Sequence, residues 1–428
     1  MGGHVRDEGP PAAPQGRQAP VRAARAARRR GDRAVITGTG AGSVEAYAAR
    51  RGLRSRLGGL RRLDWPLFLA VLALSVIGAL LVRSATFPLL TEQGKDPEGF
   101  VKRHVLNLFI GFALGGLVTV LDYRLLRAYV PILYGVACVG LVAVLTPLGE
   151  TINGSHSWIV LGGGFQVQPS EFAKVGLVVL LAMILGEPRD GEIGPGRRDV
   201  LLALVLAGVP AALIMLQPDL GTTLVFIAVV LGMLAISGAQ KRWLFGLVGG
   251  GAAAAAAVWF FGLLQDYQID RFTAFLDPEA DPRGAGYNAQ QARIAVGSGG
   301  LLGKGLFQGE QTGGHFVPEQ QTDFIFTVVG EELGFVGGAI IIALLGVVLW
   351  RGLRIATQAA DLFGTLVATG VVCWMGFQTF QNVGMSIGIM PITGLPLPFV
   401  SYGGSATFAN MIAFGLLQAV HVRRRPFD

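Results

Sequence analysis

The chain has 428 residues, of which 52% are hydrophobic and only 15% charged, with a formal net charge of +7. A soluble protein this apolar cannot cover its surface, so composition excludes a soluble enzyme and indicates a polytopic membrane protein. Two cysteines in apolar runs, Cys138 and Cys373, exclude a disulfide framework, and five scattered histidines give no metal-ligand spacing.

Residues 1–62 contain no Lys and many Arg, including Arg28, Arg29 and Arg30, among Pro, Gly and Ala without an apolar period. This is expected to be a disordered cytoplasmic tail that obeys the positive-inside rule rather than a nucleic-acid-binding arm. It is too long and too basic for a signal peptide. From residue 63 to 428, apolar runs of spanning length recur near 66–86, 104–121, 129–147, 169–186, 200–216, 219–237, 243–264, 323–350, 362–385 and 404–421. The expectation is an all-α protein of about ten transmembrane helices.

One set of connections is basic: 122–127, 188–198, 240–242, 351–354 and 423–425. The alternate set includes 149–168, 217–218 and 386–403, which hold no Lys or Arg. The positive-inside rule then places both termini in the cytoplasm, with 87–103 and the large loop 265–322 on the extracytoplasmic side. So long a loop in a compact protein is usually functional. Residues 149–168, with Trp158, Ile159, Val160 and Leu161 between polar and Gly-rich flanks, are expected in the membrane interface.

QPSEFAK (168–174) starts a helix at Pro169 and places Glu171 and Lys174 on one face. A helix N-terminus attracts anions, and Lys174 one turn inside adds to it; an internal ion pair is the alternative. In QPDLGTT (217–223), Asp219 reads as a helix cap. GSGGLLGKG (297–305) lacks the Gly and the Ser or Thr of a phosphate loop, so its glycines read as turns and close backbone packing. NGS at 153–155 matches a glycosylation acceptor only as a short pattern.

VPEQQTDFIFTVVGEELGFVGG (317–338) is the most informative stretch. Asp323 opens an apolar helix at a membrane edge, and Glu331 would lie about 12 Å deeper, followed by Glu332. Ionisable groups at that depth mark a functional site by default. Capping accounts for Asp323 alone but not for the two acids behind it. FQTFQNVGM (377–385) sets Gln378, Gln381 and Asn382 at i, i+3 and i+4, as interhelical hydrogen bonds require. The uncharged GIMPITGLPLPFVSYGGS (388–405) reads as a re-entrant loop over a cavity.

Taken in order, NGSHSWIVLGGGFQVQPSEFAK, QPDLGTT, FLDPEADPRGAGYNAQQARIAVGSGGLLGKG, FVPEQQTDFIFTVVGEELGFVGG and GIMPITGLPLPFVSYGGS closely resemble the SEDS family (shape, elongation, division and sporulation) of cell-wall polymerases. The likeness covers most of residues 66–421, leaves out the tail, and leans to the RodA branch over FtsW through QDYQIDRFTAFLDPEADPRGAGY and GEQTGGHFVPEQQTDFIF. The resemblance implies the SEDS fold and a multi-pass protein of the bacterial cytoplasmic membrane. It also implies a peptidoglycan glycosyltransferase that polymerises lipid II for elongation and rod shape. The family's essential aspartate falls on Asp323, and its central cavity residues fall on Glu171 and Lys174. Implied partners are a class B penicillin-binding protein and other elongation-complex membrane proteins, with no nucleic acid and no organic cofactor.

The chemistry fits those residues. An acceptor 4-hydroxyl must lose a proton as it attacks the donor's anomeric carbon, and a lipid diphosphate leaves. A carboxylate serves as base; Lys174, and on charge alone Lys102 and Arg103, would steady the diphosphate. Asp323 is equally a candidate ligand for Mg2+ or Mn2+. A lipid II flippase, an FtsW-like division polymerase and a noncatalytic scaffold are the competing expectations.

Overall fold

The computed structural model describes residues 1–3, 62–152, 155–160, 166–187, 194–262, 266–281 and 284–424. The expected tail lies outside the described residues except at its ends, as do Asn153, Leu161 and residues 188–193.

Among the described residues each predicted apolar run coincides with helix, the run over 323–350 with a break. In chain order the long helices are α1 (Trp65–Glu92), α2 (Gly99–Val120), α3 (Tyr123–Val144), α4 (Pro169–Leu185), α5 (Arg197–Met215), α6 (Leu220–Ile236) and α7 (Lys241–Phe260). After three short helices, α8 (Asp266–Leu276), α9 (Ala285–Ser298) and α10 (Glu310–Gly313), come α11 (Ile325–Val328), α12 (Gly334–Thr357), α13 (Leu362–Ile387) and α14 (Gly404–Val422). Among the described residues eight segments, counting 325–357 as one, are long and apolar enough to cross a membrane. Helices α4 and α6 have 17 residues each, about 25 Å, at the short limit for a span. The chain is a polytopic membrane protein.

Aspartates start several of these helices, because a side-chain oxygen satisfies an orphan N–H of the first turn. Asp64 accepts from Leu67 N, Asp122 from Arg124 N, Asp219 from Thr222 N and Asp361 from Gly364 N. At the basic end, Arg351 Nε bonds both oxygens of Asp64 at 3.0 and 2.9 Å, tying α12 to α1. Arg124 pairs with Asp361 at 3.1 Å, and Arg423 with Asp122 at 3.5 Å.

Helices α2 and α14 touch backbone to backbone. A Cβ on Gly115 would sit 2.7 Å from Met411 O, and one on Gly415 2.5 Å from Gly115 O. Only glycine permits that approach.

The helical fold carries one addition that the sequence did not announce and one break. Between α3 and α4 stands a small three-stranded antiparallel sheet, β1 (Gly149–Ile152), β2 (Ser155–Val160) and β3 (Gln166–Val167). Backbone too irregular for a helix must still pair its N–H and C=O groups, and here it does so with itself. The large connection 265–322, expected to be functional, holds among its described residues α8, α9, α10 and a 3-10 turn at Pro278–Ala280. The helix predicted over 323–350 is broken: α11 ends in a π-turn, Val329–Leu333, and Gly334 takes φ +65 before α12. That left-handed step suits glycine and would strain any other residue.

Candidate functional site

Asp323 lies in the turn just before α11. It does not cap that helix: Phe324 is the capping residue and makes no side-chain cap bond. Three other elements hold the turn instead. Gln320 Nε2 donates to Ala85 O of α1 at 3.0 Å. Tyr402 N donates to Gln321 O at 2.9 Å. Asn382 Nδ2, on α13, donates to Asp323 O at 2.7 Å and to Leu395 O at 2.6 Å. Against the carboxylate stands Gly394 with φ +72; a Cβ there would lie 3.2 Å from Asp323 Oδ2.

The side chain is half-buried, and crowding by these segments withdraws bulk water. Burial first, then the carboxylates of Glu319 and Asp219, push the Asp323 acid up to about 7, while Arg271 acts against them. Glu319 itself has φ +53, an uncommon conformation for a non-glycine residue, and its carboxylate accepts from Gln321 Nε2 and Thr322 Oγ1, each at 3.2 Å.

Several connections meet around this turn. Ser155 Oγ donates to Gln217 O at 3.0 Å, and Gln168 N donates to Ser405 Oγ at 3.0 Å. Gly221 abuts Thr393 O and Leu395. The segments 149–168, 217–219, 314–323 and 388–405 therefore form one end of the bundle, the loop end, opposite the Asp64–Arg351 pair.

Glu171 and Lys174 are both buried, and Lys174 Nζ bonds Glu171 Oε1 at 2.7 Å and Gln378 Oε1 at 3.2 Å. Lys174 also lies over the Trp374 ring, 4.9 Å from its centroid. They sit inside the bundle as a pair, one helical turn along α13 from Asn382, which reaches the Asp323 turn. Lys102 and Arg103 part company. Lys102 pairs with Asp96 at 2.8 Å, both exposed. Arg103 turns toward the Tyr402 hydroxyl, beside the residue that anchors Gln321.

The three amides of α13 are not chiefly interhelical ties, as the spacing suggested. Gln378, Gln381 and Asn382 donate to Pro396 O, Pro391 O and Leu395 O, at 2.6, 2.7 and 2.6 Å. They stitch the proline-rich 388–403 segment onto the helix, because prolines leave carbonyls with no ladder to join. Glu331 is also placed differently. It does not line a membrane-depth cavity but accepts from Gln311 N, Thr312 N and Thr312 Oγ1, each at 2.8 Å, and from Lys304 Nζ at 3.2 Å. Glu332 accepts from Ser84 Oγ at 2.5 Å. The glycines of 297–305 pack as expected: a Cβ on Gly303 would lie 2.1 Å from Glu332 O. A cavity of about 330 Å³ lined by Arg83, Ser84, Phe87, Phe307, Thr312 and Glu332 takes in Glu332 but not Asp323, Glu171, Lys174, Lys102 or Arg103.

Sequence reasoning missed Gly394, Tyr402, Glu319 and the role of Asn382. The spacing of the amides was visible, but not which carbonyls they meet. For a metal, no group of three or more His, Cys, Asp or Glu side chains among the described residues is close enough to hold one. The residues present do not fit a resident ion held by protein ligands alone.

A family model described as "Cell cycle protein", covering FtsW, RodA and SpoVE, matches residues 65–426. The chain is 38% identical over 363 residues to the peptidoglycan glycosyltransferase MrdB of Escherichia coli K12, covering 85% of this chain and 94% of that one. It is 39% identical over 359 residues to the stage V sporulation protein E of Bacillus subtilis 168, covering 83% and 95%. Among solved structures, one describing coordination of polymerization and crosslinking by a peptidoglycan synthase complex matches with TM-score 0.69 and 32% identity, covering 84% of this chain and 97% of that one. The Thermus thermophilus rod shape determining protein RodA matches with TM-score 0.62 and 31% identity, covering 85% and 98%. Match length and identity on both counts place the chain in the FtsW, RodA and SpoVE family of cell cycle proteins.

Proposed function

We propose that the chain is a peptidoglycan glycosyltransferase that polymerises lipid II at the extracytoplasmic face of the bacterial cytoplasmic membrane. The observation that carries this is Asp323. It is a carboxylate on a turn that three separate elements hold at the polar end of a membrane bundle, with its acid raised to about 7. A carboxylate in that range is matched to general-base work near neutral pH. It takes the acceptor hydroxyl's proton as the hydroxyl oxygen attacks the donor's anomeric carbon; the bond to the lipid diphosphate breaks and the diphosphate leaves.

Basic connections gathered at the opposite end support an extracytoplasmic loop end. Arg103, beside Tyr402, is proposed to meet the diphosphate. Lys102 is held by Asp96 and would have to leave it to join. Glu171 and Lys174 are proposed to act from within, Lys174 supplying positive potential beneath the site. Any divalent cation, Mg2+ or Mn2+, would be coordinated by the substrate diphosphate and water, leaving Asp323 to take the proton. Likeness to a rod shape determining protein supports an elongation role, and likeness to a complex that couples polymerization to crosslinking supports a class B penicillin-binding protein partner.

The test is polymerisation of purified lipid II by the purified protein with its partner in detergent, beside Asp323→Asn. Glycan strands from the wild type and none from the variant are expected. Detergent has no leaflets, so a pure flippase gives no polymer from either protein.

A further inference from the structure

We propose that Asn382 is the positioning residue for the Asp323 carboxylate, an inference that rests on the glycosyltransferase reading above. An asparagine amide has two N–H donors. Here they go to carbonyls of two different segments, Asp323 O at 2.7 Å and Leu395 O at 2.6 Å. Asn382 is fully buried on α13, so the helix core fixes where those donors point.

The first bond fixes the main chain of Asp323. The second fixes the 388–403 segment beside Gly394, whose missing side chain leaves room for Asp323 Oδ2. An aspartate has only two side-chain torsions, so fixing its backbone and one wall of its surroundings leaves the carboxylate little freedom. One amide thus sets both the carboxylate and the surface it rests against. The neighbouring Gln381 shows what a purely structural amide does here. It is equally buried, donates to Pro391 O at 2.7 Å, and makes no bond to the Asp323 turn.

This contrast supplies the test. Asn382→Ala, Asn382→Ser and Gln381→Ala are each purified with the partner. Lipid II turnover, KM and thermal midpoint are measured against wild type. A misplacement of about 1 Å at a reacting group costs about a hundredfold in rate. Asn382→Ala is therefore expected to lose about that much kcat with KM little changed. Asn382→Ser, which keeps one donor, should fall between it and wild type. Gln381→Ala should lose thermal midpoint to a similar degree but keep kcat within a few fold.

Equal kcat losses for Asn382→Ala and Gln381→Ala would overturn the inference, since both would then act only by stitching the segment. Collapse of the fold in both Asn382 variants would assign the residue to the scaffold and overturn it too. A wild-type protein that makes no polymer overturns the glycosyltransferase reading itself, and is seen before any variant is compared.

Discussion

The carboxylate of Glu331 and the main-chain N–H of Thr312 meet at 2.8 Å, and the Thr312 hydroxyl meets the same oxygen at 2.8 Å. With Gln311 N and Lys304 Nζ, one buried side chain satisfies donors spread over 304–312. A carboxylate only accepts, which is why it fits among four donors. Glu331→Gln would set an NH2 group against them and leave Lys304 without its buried partner. We expect a loss of about 3 kcal/mol, read as a lower thermal midpoint and faster proteolysis within 299–313. A midpoint equal to wild type would show that these bonds do not hold the segment.

The raised Asp323 acid sets a pH dependence. The base works when ionised, so turnover should climb as pH rises through about 7. Glu319→Gln removes a like charge and should move that limb to lower pH. Stability runs the other way. The fold favours protonated Asp323, so its stabilising contribution is full below the ordinary carboxylate range and is lost as pH rises through about 7. Asp323→Asn should therefore abolish polymerisation, yet its thermal midpoint should gain on wild type between pH 5 and 8. A flat wild-type rate profile across that range would refute the base assignment.

Gly394→Ala tests the wall facing Asp323. The left-handed backbone at φ +72 costs an alanine about 1–2 kcal/mol. Its Cβ would also press on Oδ2 at 3.2 Å. Gly94→Ala is the control, because Gly94 has φ +64 with nothing within 4 Å of a Cβ. Both variants should lose a similar midpoint, but only Gly394→Ala should lose most of its turnover. Matching activities would remove Gly394 from the site.

Lys174→Met leaves buried Glu171 uncompensated and should cost about 3–5 kcal/mol. Adding Glu171→Leu should restore the thermal midpoint, because a buried pair can be exchanged for apolar side chains without loss. We expect the double variant to be stable and still poor in lipid II turnover. A stable, fully active double variant would leave the pair as packing.

The long apolar helices were legible because runs of spanning length and the membrane's demand for satisfied backbone both point to helix. Asp219 as a cap was legible because its partner, Thr222 N, is three residues away. What escaped was long-range. Straight-helix geometry put Glu331 about 12 Å along one continuous helix, but the π-turn Val329–Leu333 breaks that helix at Glu331, and nothing in the spacing reports the break. The donors to Glu331 lie 19 to 27 residues upstream, and the Asn382 bond to Asp323 spans 59. The sheet at 149–167 was missed because its short strands and glycines carry no clean alternation.

The glycine contact between α2 and α14 gives the site one stiff side. With Gly415 seated on Gly115 O and Gly115 on Met411 O, the two helices cannot slide without backbone collision. Arg103 sits near one end of this post, and Tyr402 just precedes α14. The α2–α14 pair is thus a rigid post on the Tyr402 side of the Asp323 turn.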